Sequence, residues 1–506
     1  MTDHSSSQPG QKALLQTNPF APASSGEDKF HDECGVFGIY KHPEAAAHTV
    51  LGLHALQHRG QEAAGVVTFD QKQFHSHKSQ GHVADNFNSQ PVIESLPGDS
   101  AIGHVRYSTA GGSGMRNIQP LFADLFAGGF AVAHNGNLTN ALTLRQLLVS
   151  KGSIFQSTSD SEVLIHLVAT STYQSLQDRF IDALRRVEGA FAIVALSKKR
   201  LIGARDPLGV RPLVLGKLSD SSYIFASETC ALDIIGAEYI RDVEPGEVIT
   251  IDQDGLHSLK PFPVQKPRPC IFEHVYFSRP DSLTDGASIY KVRKNIGKEL
   301  AKECEIKADL VVPVPDSGTP AAIGYAQEAG IPFELGIIRN HYVGRTFIEP
   351  SDQIRHLGVK LKHNANRGEL EGKIVVLIDD SIVRGTTSTK IVDMVRQAGA
   401  KEVHMRIASP PTTDPCFYGV DTPEKDKLLA SRMSIEEMTR YIGADSLEFV
   451  SIDGLYRAVC QTGRDNDAPQ FCDACFTGDY PTSLTDKNQG DQPCQISFLN
   501  EIHKKS

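Results

Sequence analysis

Between Cys34 and about Lys260, apolar residues fall in short β-branched or aromatic runs bounded by Gly, Pro, Asn or Asp. They are CGVFGIYK, AAGVVTF, AIGHVRYS, GGFAVAHNG, AFAIVALS, RLIGARDP, YIFASE and GEVITID, and such runs predict strands. Two segments, AAAHTVLGLHALQHRGQEA and DSEVLIHLVATS, carry apolar residues at helical spacing instead. Many strands with a few inserted helices predict two sheets sandwiched with helices. The Pro-rich stretch KPFPVQKPRPC at 260–270 predicts a linker. Beyond it the rhythm changes: ADLVVPVP, PFELGIIRN, GKIVVLID and KEVHMRIAS read as strands, PAAIGYAQEAG and TTSTKIVDMVRQAGA as helices. Near-continuous Val/Ile/Leu strands alternating with helices mark a parallel sheet covered on both faces. The first 30 or so residues are polar and non-periodic, which predicts disorder. From about Gln461 the chain turns polar again, and an irregular tail is expected.

Composition narrows the class. The 506 residues are 40% hydrophobic and 22% charged, an ordinary globular balance. No run of 18 apolar residues occurs, so a membrane span is not expected. The net charge of -10 removes a global basic footprint for nucleic acid. Nine cysteines are too sparse for a disulfide scaffold; an odd count with one CxxC points to reduced thiols in a reducing compartment, here the cytoplasm. Residues 1–33 lack the basic and apolar regions of a secretory signal, and Asp3, Glu27, Asp28, Asp32 and Glu33 argue against a transit peptide.

The most informative segment is VVLIDDSIVRGTTST, 375–389. A buried strand delivers Asp379 and Asp380 to its C-terminal end, where ligands of open α/β sheets bind. The loop that follows opens a helix. Its N–H groups and the hydroxyls of Ser381, Thr386, Thr387 and Ser388 suit a phosphate, and Gly385 lets the backbone come close. The carboxylates then suit ribose hydroxyls or Mg²⁺. No Walker P-loop pattern occurs. The segment resembles the 5-phosphoribosyl 1-diphosphate (PRPP) motif of type I phosphoribosyltransferases. That resemblance implies that Asp379, Asp380, Ser381, Arg384, Gly385, Thr386 and Thr387 bind PRPP. It also implies that VVPVP with Asp316-Ser317-Gly318-Thr319 forms the pyrophosphate loop, with Ser317 beside the Mg²⁺ held by Asp379 and Asp380. RNHYVGRTFIEP, with Arg339, Tyr342 and Arg345, corresponds to a loop closing over PRPP, and Lys362 to a contact with the anion.

A lone Cys-Gly such as Cys34-Gly35 is uninformative, since most lone cysteines are small buried hydrophobes. HVRYSTAGG with Arg106, HNGNLTN with Asn135 and Gly136, and STSDSE with Asp160 follow it in order. Together they resemble the glutamine amidotransferases of the Ntn-hydrolase class, whose nucleophile is an N-terminal cysteine. The resemblance implies a Cys34 thiolate attacking the glutamine amide, with the free α-amino group as base. Residues 1–33 then become a propeptide. Asn135 and Gly136 are implied for the oxyanion, Arg106 for the substrate carboxylate and Asp160 for its ammonium.

The implied organisation is a disordered propeptide 1–33, an α+β Ntn-hydrolase sandwich (αββα) over 34–260, an α/β type I phosphoribosyltransferase domain over 261–480, and a polar tail 481–506. Joined, the halves resemble the amidophosphoribosyltransferase family. The family resemblance implies Mg²⁺, feedback inhibition by purine nucleotides and a homotetramer, with glutamine and PRPP as substrates. FCDAC supplies Cys472 and Cys475, while Cys270 and Cys416 lie upstream. Four thiolates suit either Zn²⁺ or an iron–sulfur centre, and spacing does not choose between them. Similarity to the family subgroup that has a propeptide implies a [4Fe–4S] cluster on these four. Cys460 is close enough in sequence to compete as a ligand, and Cys230, Cys304 and Cys494 have no assignable role. Two rivals remain: a hexosamine-phosphate synthase, which would lack IDDSIVRGTT, and a non-enzymatic PRPP sensor, which would pair the fold with a DNA-binding module.

Overall fold

A computed structural model describes residues 34–107, 114–340, 363–460 and 462–488. In the N-terminal half, two antiparallel sheets stack face to face. The seven-stranded sheet runs Glu238–Asp242, Val214–Lys217, Tyr223–Ala226, Gly35–Tyr40, Ser100–Arg106, Ala63–Phe69, Phe74–Gln80. The six-stranded sheet runs Gly255–Leu259, Val248–Asp252, Leu201–Arg205, Gly189–Ser197, Gly128–Leu138, Leu121–Leu125. Inward-facing Val36, Ile102, Ala131, Ala133, Val194 and Phe225 form the core between them. Because strand side chains alternate, the outer faces are apolar too and need cover. The helix Ala45–Ala55 covers one, and Ala141–Ser150, Glu162–Thr170 and Leu176–Leu184 cover the other. This is the expected αββα sandwich.

The second half holds a four-stranded parallel sheet in the order Leu310–Pro313, Ile374–Asp379, Glu402–Ile407, Ser446–Phe449. Val376 and Ile378 face Ile289–Glu303, Thr319–Ala329 and Ile452–Cys460, whereas Val375 and Leu377 face Thr386–Gln397 and Ile435–Ile442. Burial on both faces is why these strands read as unbroken apolar runs.

Two expectations need correction. PFELGIIRN does not enter the parallel sheet as a strand. Only its start follows the edge, through Glu334 N to Val311 O at 3.0 Å, and Ile337–Arg339 pairs antiparallel with His363–Ala365. The segment after Gln461 is not irregular throughout. Ala474–Thr477 is helical, and Asp486, in the helical turn Thr485–Asn488, accepts from the backbone N–H groups of Leu142 (2.8 Å) and Thr143 (3.0 Å). The expected tail thus begins by capping a helix of the N-terminal half, whose first N–H groups lack partners of their own.

Candidate active site

Cys34 is buried and immediately precedes the strand Gly35–Tyr40, which pairs with Ser100–Arg106. Its Sγ–H points to Tyr107 O at 3.7 Å. Burial pushes the thiol up to about 11 and the Asp160 charge adds to the rise, while a Tyr107 backbone hydrogen bond to the thiolate, Arg106 and Arg59 oppose it. Arg106 is buried, and desolvation lowers its pKa against the charges of Cys34, Glu62 and Asp160. Cys34, Arg106 and Asp160 therefore share one electrostatic neighbourhood. Asp160 Oδ2 accepts from Leu138 N (3.0 Å) and Oδ1 from Ser161 N (2.8 Å), which fixes its carboxylate at the end of the strand that carries Asn135 and Gly136.

Asn135 is fully buried, and among the described residues neither its Nδ2 nor its Oδ1 has a hydrogen-bond partner. A buried amide left unpaired is costly, so this side chain is spent on something other than stability. Gly136 has φ 138°, and a Cβ there would lie 2.1 Å from Ala190 O; no larger residue fits without moving the strand. Two histidines open the same motifs and went unread in the sequence. His134 Nδ1 is 3.0 Å from Ser161 Oγ, and His104 Nε2 is 3.1 Å from His134 O. Burial pulls both down, His104 to about 3, so both are neutral and weak as bases.

At the second centre, Asp379 and Asp380 are buried at the end of Ile374–Asp379. Asp380 accepts from Ser317 Oγ (2.5 Å) and Ser381 Oγ (2.7 Å), joining the two loops read from the sequence. Gly385, with φ 80°, precedes the helix Thr386–Gln397, whose N-terminus has no side-chain cap. Backbone N–H groups at the positive end of a helix dipole suit an anion. Asp316 forms an ion pair with Arg339. Arg345, Tyr342, Lys362 and residues 1–33 lie outside the described residues.

Cys270, Cys416, Cys472 and Cys475 line one cavity, together with Arg211 and Tyr418. Ile271 N donates to Cys472 O (3.1 Å) and Thr413 N to Cys475 O (3.0 Å), drawing three distant segments together. Between the CxxC cysteines, buried Asp473 accepts from Arg464 (2.6 Å) and Tyr456 (2.8 Å). Burial raises Cys270 to about 11 and Cys472 and Cys475 well above their usual value. Cys460 is not on this cavity; its Sγ–H donates to Tyr456 O at 3.2 Å. Among the described residues, no three His, Cys, Asp or Glu side chains are spaced for a single metal ion.

Residues 104–233 match the family described as "Glutamine amidotransferase domain", and 281–409 the "Phosphoribosyl transferase domain". The amidophosphoribosyltransferase of Rhizobium etli is 60% identical over 478 residues, 93% of this chain and 96% of that protein. The chain belongs to the amidophosphoribosyltransferase family. As an amidophosphoribosyltransferase it uses glutamine and PRPP to make 5-phosphoribosylamine, the first committed step of purine synthesis. The Bacillus subtilis amidophosphoribosyltransferase is 50% identical over 90% of this chain and 95% of that one. A solved B. subtilis glutamine PRPP amidotransferase, complexed with ADP and GMP, superimposes with TM-score 0.84 at 49% identity, covering 89% of this chain and 98% of that one. Both rival readings of the sequence are thereby set aside. In this amidophosphoribosyltransferase the two halves meet beside the glutaminase centre: Asn137 Nδ2 donates to Phe417 O at 3.0 Å, and a Cβ on Gly419 would sit 2.9 Å from Gly136.

Proposed function

We propose that residues 1–33 are removed, that the freed α-amino group of Cys34 takes the thiol proton, and that Sγ attacks the glutamine amide carbon. The observation that carries this reading is the unpaired Asn135 amide next to Gly136. Its Nδ2–H, with the Gly136 N–H, accounts for the oxyanion of the tetrahedral intermediate. Arg106 pairs with the substrate carboxylate and Asp160 with its ammonium. The C–N bond breaks, ammonia leaves with the proton, and water hydrolyses the thioester to glutamate. Ammonia attacks C1 of PRPP, the C1–O bond breaks, and pyrophosphate departs.

Asp379 and Asp380 hold the ribose hydroxyls, and Ser381, Arg384, Gly385, Thr386 and Thr387 the 5-phosphate; Arg345 and Lys362 contact the substrate's anionic groups. Mg²⁺ usually enters such sites on substrate phosphates with one or two carboxylates. Ser317, Asp379 and Asp380 would be the protein's share of such a site. The four cysteines that border one cavity suit a [4Fe–4S] cluster, a reading that rests on the resemblance to the propeptide-bearing subgroup, since four thiolates also suit Zn²⁺. The cluster's role is structural, since neither amide hydrolysis nor ribosyl transfer moves electrons. We extend the reading to the propeptide-bearing subgroup, purine-nucleotide feedback, a homotetramer and a cytoplasmic setting. Domain limits of 34–260 and 261–480 suit this division of labour.

The test is Cys34→Ala. Glutamine-dependent synthesis is expected to vanish while synthesis from free ammonia persists. Loss of both in folded protein contradicts the division.

A further inference from the structure

Where the halves meet, four charged side chains are almost fully enclosed: Arg59, Arg211, Glu228 and Glu273 are each 0–1% exposed. Arg59 follows the helix Ala45–Ala55 in a short 3₁₀ turn. Its Nε donates to the Cys34 carbonyl at 3.4 Å, and its terminal nitrogens donate to Glu228 (2.6 Å) and to both oxygens of Glu273 (2.6 and 3.1 Å). Glu273 also accepts from Ser278 Oγ (2.7 Å) and from Arg211 (3.3 Å), which lines the cysteine cavity. Glu228 is occupied further by His58, Ser282 Oγ and Arg279 N.

The charges divide unevenly between the halves. Arg59, Arg211 and Glu228 all come from the sandwich. Glu273 is the only one of the four from beyond the linker, and it takes both terminal nitrogens of Arg59. A buried ion group of this kind is weak evidence for stability, because desolvation offsets its attraction; its best-attested use is to fix one arrangement. The arrangement fixed here is the guanidinium plane that holds the Cys34 main chain. Glu273 also begins the segment Glu273–Phe277, after which Ser278 O accepts from Arg293 at 2.7 Å, and the charge of Asp380 acts on Arg293.

We propose that Glu273, supplied by the PRPP-binding half, is a positioning residue of the glutaminase centre: it locks Arg59 against the Cys34 carbonyl, so the nucleophile is aligned only when the two halves are docked. This rests on Cys34 being the nucleophile. Full-length Glu273→Gln keeps the shape of the side chain and removes its charge. Misalignment at a reacting centre is expensive, so the ratio of glutamine-driven to ammonia-driven synthesis, measured on one preparation, should fall about tenfold or more. The fall should appear in kcat, with KM for glutamine changing less than about threefold, as expected for lost alignment rather than lost binding. Glu273→Asp, which keeps the charge, should recover part of the ratio. Combined with Arg59→Lys, Glu273→Gln should lose no more than the worse single variant, because both act through one contact.

An unchanged ratio in Glu273→Gln, equal loss of both activities in the Gln and Asp variants, or multiplied losses in the double variant overturns the proposal. If Glu273→Gln does not fold, Glu273→Asp decides on the same ratio: a lowered value supports the role and an unchanged one refutes it. Cys34→Ala run alongside separates the two levels. If it retains glutamine-driven synthesis, the nucleophile assignment fails. If it loses that activity and the Glu273 variants keep theirs, only the positioning role fails.

Discussion

Asn135→Ala separates a side chain kept for chemistry from one kept for stability. Asn135 is wholly enclosed, yet both of its amide atoms lack partners among the described residues. Leaving a buried polar group unpaired costs about 1–3 kcal/mol. Truncation relieves that cost while opening a small cavity, so the two effects oppose and the net change should stay within about 1 kcal/mol. Asn140 is a matched control, also buried in the same half. Its Nδ2 donates to Arg186 O and its Oδ1 accepts from Glu188 N, both at 3.0 Å. Asn140→Ala strands both backbone partners and should cost about 1–3 kcal/mol, lowering the thermal midpoint by roughly 2–4 °C per kcal/mol. Catalysis should show the reverse order. Loss of one oxyanion donor removes about 2.7–4 kcal/mol of transition-state stabilisation, roughly 10²–10³ in kcat. Thermal unfolding of both variants, with kcat for glutamine and for ammonia, tests both halves of the argument. The reasoning is refuted if Asn135→Ala destabilises as much as Asn140→Ala and its glutamine kcat stays within about fivefold of the parent.

Asp380→Asn removes the charged acceptor shared by Ser317 and Ser381; synthesis from glutamine and from ammonia should both drop, and unchanged kinetics with either nitrogen source would take the motif out of the mechanism. Anaerobically purified protein should carry about four irons per chain, and Cys472→Ser should be colourless and poorly folded; stoichiometric zinc in active protein would contradict the cluster. With the thiol pushed up to about 11, about one Cys34 in 10⁴ is thiolate at pH 7 in chains that keep residues 1–33. The thiolate fraction rises with pH, so alkylation should climb about tenfold per pH unit from 7 to 10. In processed chains the curve should bend near the α-amine pKa of about 7.7–8.0, and levelling off below pH 9 in unprocessed chains would refute the account.

Local pattern carried much of this protein. The strands around Val36, Val67, Ile102, Val194 and Val376 were legible because alternation, or an unbroken apolar run, records how many faces of a strand are buried. The chemistry of IDDSIVRGTT was legible because a strand end, two acids and a Gly/Thr loop form one contiguous device. Tertiary structure decided the rest. It placed PFELGIIRN off the parallel sheet, put Asp486 at the start of Ala141–Ser150, and gathered Cys270, Cys416, Cys472 and Cys475 around one cavity that excludes Cys460. It also set Glu273 against Arg59, 214 residues away in the chain. No period in the sequence marks such a pair, because a buried ion group depends on how two separately built cores dock, and docking leaves no trace in the local alternation of apolar and polar residues.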